Sequence, residues 1–259
     1  MIDVLDTILS TDELCCVVMT HLQDKEPLSV IRIGDGEMVI ANNMVERLNK
    51  FCIKQIGRVI TSEELKYAQD NIVKAITRCD VIGIPTNNHI IKHPLWASIL
   101  PYYNYLKDNN KNWNEKIYCS IDSHLHLLQT KQIFNILQTV NKIVIVSSRD
   151  IGEKLMKKFP NITEVEYYPL PPEQVYEINK NTEMNIFEIL EDITSKLYSK
   201  DRSGELLIYG AGPFGKHIGI DFSNRGGVSL DLGSVFDLFV GKITRGKVKG
   251  VDSFTTPYL

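Results

Sequence analysis

The chain has 259 residues, 29 Lys and Arg against 32 Asp and Glu, a formal net charge of −3, and 43% hydrophobic with 24% charged residues. That balance supplies the apolar mass of a sizeable core and lacks the basic excess of a dedicated nucleic-acid binder, so no nucleic-acid partner is expected. No run approaches the about 18 consecutive apolar residues of a membrane-spanning helix, and Met1-Ile2-Asp3-Val4-Leu5-Asp6 places acids where an export signal carries bases, so a cytoplasmic protein is expected.

Along the chain, helical and strand-like patterns alternate. Ser10-x-x-Glu13 reads as a capping box opening an amphipathic helix that continues through Leu14, Val17, Val18 and Leu22. Cys15 and Cys16 follow within it. With Cys52, Cys79 and Cys119 they make an odd set with no C-x-x-C spacing, which predicts reduced, mostly buried thiols. Leu28–Ile33, bounded by Pro27 and Gly34, predicts the first strand, and Thr61-x-x-Glu64 opens a helix over 62–78. Further strands are predicted at Val81–Ile84, Ile117–Ile121, Ile143–Val146, Val165–Tyr168, Leu206–Tyr209 and Val228–Leu232, with helices over roughly 94–107, 123–139, 149–158, 173–199 and 213–224. Val81–Ile84, Ile143–Val146 and Leu206–Tyr209 are continuous apolar runs, as expected of strands covered on both faces. The alternation predicts an α/β fold: a mostly parallel, Rossmann-like sheet flanked by helices. Asp108–Glu115 and Pro169–Pro172 read as surface loops, so residues 1–259 are expected to form a single domain, with the helices of 1–24 peripheral. In such a sheet ligands bind beyond the carboxyl ends of the strands.

Three loops leave strand ends carrying chemistry. In Arg32-Ile33-Gly34-Asp35-Gly36-Glu37, two carboxylates one residue apart, flanked by glycines, can face one hard cation, Mn²⁺ or Mg²⁺, and Arg32 can add a bidentate contact to phosphates held by that ion. The competing reading makes Asp35-Gly36 a turn and Glu37 a first-turn helix acid. Gly210-Ala211-Gly212-Pro213-Phe214-Gly215 matches G-x-G-x-x-G, and Asp231 lies 21 residues beyond Gly210, where a dinucleotide fold places its ribose-binding acid. An NAD-dependent oxidoreductase is therefore the rival reading, weakened because 28 residues after Asp231 are too few for the rest of such a domain. The same glycines can cradle a phosphate or ribose, or simply pack a helix on a strand. Lastly, the strand Val228–Leu232 runs into Gly233-Ser234, displaying Asp231, Ser234 and Asp237 on the same rim, with a buried acid and a Ser234 helix cap as the plainer interpretation.

Together, the Arg-x-Gly-Asp-Gly-Glu loop and the late Gly-Ala-Gly-Pro and Gly-Gly-Val-Ser-Leu-Asp-Leu-Gly patterns resemble the GT-D-type glycosyltransferases over roughly residues 25–245. The resemblance implies that Asp35 and Glu37 form the D-x-E motif that, with a divalent cation, holds a UDP-sugar. It implies transfer of that sugar to a glycan, free or lipid- or protein-linked, in bacterial surface polysaccharide or glycoprotein biosynthesis. The chain has Ser234 where many relatives carry a His, so a role resting on that His does not transfer. Arg32, Gly34, Gly36, Gly210, Gly212, Gly215 and Ser234 are then the donor-binding candidates, and Asp231, Asp237 and His124, with Asp122, the candidates for a base. His124-x-His126 at a helix start points to different faces and does not suggest a paired metal site. A non-catalytic nucleotide-sugar-binding module is a further alternative. Trp96, Tyr102, Tyr103 and Tyr105, near His89 and His93, read as core or sugar-stacking residues. Lys242, Arg245, Lys247 and Lys249 offer a solvated basic face or a contact for a lipid-diphosphate acceptor at the inner face of a membrane.

Overall fold

A computed structural model describes residues 8–86, 116–173 and 185–242. In chain order these form β1 (Ile8–Leu9), α1 (Thr11–Asp24), β2 (Leu28–Arg32), α2 (Asp35–Ala41), α3 (Val45–Ile56), α4 (Ser62–Arg78), β3 (Val81–Ile84), β4 (Ile117–Ser120), α5 (Ser123–Gln129), α6 (Gln132–Gln138), β5 (Lys142–Ser147), α7 (Gly152–Lys158), β6 (Glu164–Pro169), α8 (Ile186–Tyr198), β7 (Leu206–Tyr209), a 3₁₀ turn (Pro213–Gly215), α9 (His217–Ser223), β8 (Val228–Asp231) and α10 (Val235–Phe239). The predicted capping boxes both form: Ser10 and Thr61 accept from the backbone N–H of Glu13 and Glu64, whose carboxylates accept in return.

All eight strands join one parallel sheet in the order β1-β4-β3-β2-β8-β7-β5-β6. Alternate residues of each strand feed two cores, which is why the central strands read as unbroken apolar runs. Ile31, Ile82, Val144 and Leu207 pack on one face with α4, α8 and α9, while Val30, Val81, Ile143 and Ile208 pack on the other with α1, α5, α6 and α10. Strands β1–β4 lie on one side of the β2–β8 junction and β5–β8 on the other. Connections therefore diverge at that junction, and a crevice opens beyond the strand ends there. The register aligns Val30 with Leu230 and Tyr209 with Asp231, so the loops after β2, β7 and β8 emerge side by side.

The departures from expectation are local. The predicted 123–139 helix breaks into α5 and α6 because Lys131 is left-handed, with φ of 62°. The helix predicted from 149 starts at Gly152, whose N–H is first taken by Asp150 Oδ1. The 213–224 stretch opens as a 3₁₀ turn, and the described part of 173–199 is α8. The 94–107 helix, the aromatic segment with His89 and His93, and Arg245, Lys247 and Lys249 lie outside the described residues. Among the described residues the five cysteines are free, only Cys16 is exposed, and no helix is long and apolar enough to cross a membrane.

Candidate active site

Strand β2 ends on Arg32, whose side chain crosses the end of β8. Its Nε donates to the Asp231 carbonyl (3.1 Å), Nη2 to Asp231 Oδ1 (3.2 Å) and Nη1 to the Ile121 carbonyl (3.3 Å), with His124 Nε2 also 3.1 Å from Nη1. Gly233 makes room for this path: with φ of +48°, it would place any Cβ 2.3 Å from Nη2.

The next turn brings in the second carboxylate. Glu37 in the first turn of α2 reaches back so that Oε2 accepts the Gly34 N–H (2.8 Å), while Oε1 lies 3.0 Å from Lys216 Nζ. Lys216 follows the 3₁₀ turn and also donates to Asp231 Oδ2. Arg32, Asp231, Lys216 and Glu37 thus form one chain of alternating charge, and the last three are at least nine-tenths buried. Two cations balance two carboxylates, which is what allows such burial.

These neighbours set protonation. Burial alone would raise the Asp231 carboxyl, yet Arg32 and Lys216 hold it below its usual range. Burial, reinforced by Arg32 and Lys216, pushes His124 well below the ordinary histidine range, so its ring is neutral. Because the Arg32 guanidinium can only donate, His124 Nε2 is the acceptor and the ring proton is assigned to Nδ1.

Above these side chains lies a cavity of about 470 Å³ whose walls come from the loops after β2, β4, β5, β6, β7 and β8, from α3 and from the start of α8. The first and last motifs therefore share one pocket. Gly36 sits beneath Phe51 and Pro213, and Gly210 is pressed against the Gly233 carbonyl, where a Cβ would lie 2.9 Å away. Ser234 stands at the start of α10, makes no side-chain capping bond and lines the cavity. Asp237, on α10, accepts from Arg149 Nε (2.9 Å). Gly34, Gly36, Gly210 and Gly212 line the cavity, whereas Gly215 packs beneath it, where a Cβ would fall 2.3 Å from Ala211 Cβ.

The divalent-cation expectation meets a divided motif. Asp35 is exposed at the cavity wall and fits an ion shared with a substrate's phosphates, because Mg²⁺ and Mn²⁺ sites of that kind need only one or two carboxylates. Glu37 does not present an open oxygen beside it, since the Gly34 N–H and Lys216 take one each. The cavity is nevertheless lined by six carboxylates against three cations, Arg32, Arg149 and Lys216, so an entering anion meets a negative excess that an added cation relieves.

Sequence reasoning did not single out Lys216 or Arg149. Lys216 directly follows the last glycine of the fingerprint, and Arg149 lies just past the end of the most apolar strand, positions that would have flagged both as rim residues.

A model of the GT-D fold-like domain matches residues 9–239. Two solved structures of domain of unknown function 1792 superpose on the chain, one selenomethionine-substituted and one described as having a distinct glycosyltransferase fold. Their TM-scores are 0.56 and 0.55, each at 14% identity over 98% of this chain and 91% of theirs. A third, described as a new glycosyltransferase (DUF1792) from Streptococcus sanguinis, aligns at a TM-score of 0.49 with 16% identity over 89% of this chain and 82% of its own. No protein of curated function matches the chain. The matched span contains all eight strands but one residue, together with every loop that walls the cavity, and on that ground the chain belongs to the GT-D-like family, with a glycosyltransferase fold.

Proposed function

We propose that this protein is a glycosyltransferase that moves a sugar from a nucleoside-diphosphate donor, with a UDP-sugar as the expected donor, to a hydroxyl of a glycan acceptor. The observation that carries the reading is the convergence of the Asp35 loop, the Gly210–Gly212 loop and the Asp231 strand end on one cavity, within a chain of this family. In the reaction the bond from sugar C1 to the diphosphate oxygen breaks, with its electron pair leaving on the nucleoside diphosphate. The acceptor oxygen bonds to C1 and its proton passes to a base. Arg32 and Lys216 lie under the cavity as preorganised N–H donors whose charge is balanced by Asp231 and Glu37. A Mn²⁺ or Mg²⁺ ion bound there with the diphosphate would neutralise charge on the leaving group, and Asp35 is the residue to hold it.

The four candidate bases are not equivalent. Asp231 has both carboxylate oxygens committed to Arg32 and Lys216, and neutral His124 has its lone pair engaged by Arg32. Asp122 and Asp237 both stand at the cavity wall, the latter with a side chain 19% exposed and oriented by Arg149, and these two are the acids placed to take the proton. An NAD-linked reaction would require Asp231 to accept from a ribose hydroxyl, a role its two cations already fill.

The test is UDP-sugar hydrolysis and transfer with and without EDTA. Chelation is expected to reduce turnover, and Asp35→Ala to lower kcat/KM on the order of 10²-fold. Full activity in Asp35→Ala overturns the assignment. UDP-sugar binding without turnover across an acceptor panel would identify a binding module instead.

A further inference from the structure

Lys216 stands where the D-x-E reading would seat a metal. Its ammonium lies 3.0 Å from Glu37 Oε1 and donates to Asp231 Oδ2, with only 4% of the side chain exposed. The other oxygens of these two acids are occupied by the Gly34 N–H and Arg32. A divalent ion on Glu37 would have to strip an oxygen from a buried partner and then sit beside a buried ammonium, where like charges repel strongly at low dielectric. The position of Lys216 is also fixed from behind, since Gly215 is wedged against Ala211 and Leu190 and sets where the lysine leaves the backbone.

We propose that Lys216 is the resident cation of the pocket, filling the seat between Glu37 and Asp231, so that Glu37 is a positioning residue for Lys216 and a divalent ion is held within the D-x-E pair by Asp35 alone. The seat itself stands on the ion-pair geometry; the part concerning an ion that accompanies a diphosphate rests on the transferase reading above. The chemical consequence is a site with two kinds of positive charge: one built into the chain beneath the cavity and one brought in with the donor above it.

The experiment is a Mn²⁺ titration of the full chain, read by loss of the free-ion EPR signal, with and without UDP. With UDP present, Glu37→Gln is expected to leave Mn²⁺ affinity unchanged while Asp35→Asn weakens it at least about tenfold. Without UDP, Lys216→Met is expected to gain one Mn²⁺ site that Lys216→Met/Glu37→Gln loses again. A folded Glu37→Gln protein that loses about tenfold or more in Mn²⁺ affinity overturns the proposal, as does a folded Lys216→Met protein with no new site. If Lys216→Met does not fold, the Glu37→Gln comparison decides alone. Should UDP fail to bind, the UDP-donor reading falls while the UDP-free Lys216→Met titration still reports on the seat.

Discussion

Among the described residues, Asp231 is the most deeply buried acid, at 2% exposure between two cations. Replacing it by Asn keeps the shape and removes the charge that offsets Arg32 and Lys216. We expect Asp231→Asn to lose about 3–5 kcal/mol in urea unfolding, because an uncompensated buried charge is what remains. Adding Lys216→Met to it is expected to cost less than the two single losses summed, the signature of a shared network. The acids of this network were legible as residues with chemistry at strand ends. Their partnership was not: Arg32 and Asp231 are 199 positions apart, and the same Asp35-x-Glu37 spacing that suits a shared metal also suits a helix acid turned back on its own N-terminus. Only the location of Lys216 decides between the two, and a lysine after a glycine loop carries no visible instruction about which carboxylate it will meet.

Elements were legible where periodicity or a continuous apolar run was strong. The seven predicted strands all form within about one residue of their expected limits; in β3, β5 and β7 burial on both faces leaves a continuous apolar signal, while β6, half-buried along its length, was marked by its β-branched and aromatic residues. Strand β1 escaped because two residues carry no period, and α3 because it turns few apolar side chains inward, Leu48 and Cys52 being its fully buried ones. The glycine fingerprint was legible as a turn, yet its three glycines divide their duties. Gly210 and Gly212 face the cavity while Gly215 lets the turn lie against α8. Gly215→Ala should therefore act through packing: a loss of about 1–3 kcal/mol measured by thermal or urea unfolding, from overlap with Ala211 and Leu190.

For the molecule as a whole, acid sensitivity follows from two histidines buried in neutral form. Burial, then Lys74, brings His217 down to about 4, and burial, then Arg32, holds His124 well below the ordinary 6.5. Both folded values lie below the unfolded one, so in that interval the unfolded chain binds more protons. Their stabilisation is complete above pH 6.5 and is lost as pH falls below it, for His217 as pH approaches about 4. Urea midpoints should decline through this window, and His217→Phe should flatten the decline. Strand β8 is a second property of the whole, joining β2 to β7. A chain ending at Arg225 leaves two unconnected half-sheets and is expected to show no cooperative unfolding by circular dichroism.

That junction also imposes an order on biosynthesis. Leu28 pairs with Val228, 200 residues later, so during translation β2 emerges long before the strand that covers its flank. Until then the nascent chain carries an open strand edge and an Arg32 without its carboxylate, a state that invites chaperone protection. Closure is a long-range, entropically slow event. A ribosome that stalls before β8 thus releases a product with no assembled pocket, and sugar transfer becomes a property that only a chain synthesised through β8 can acquire.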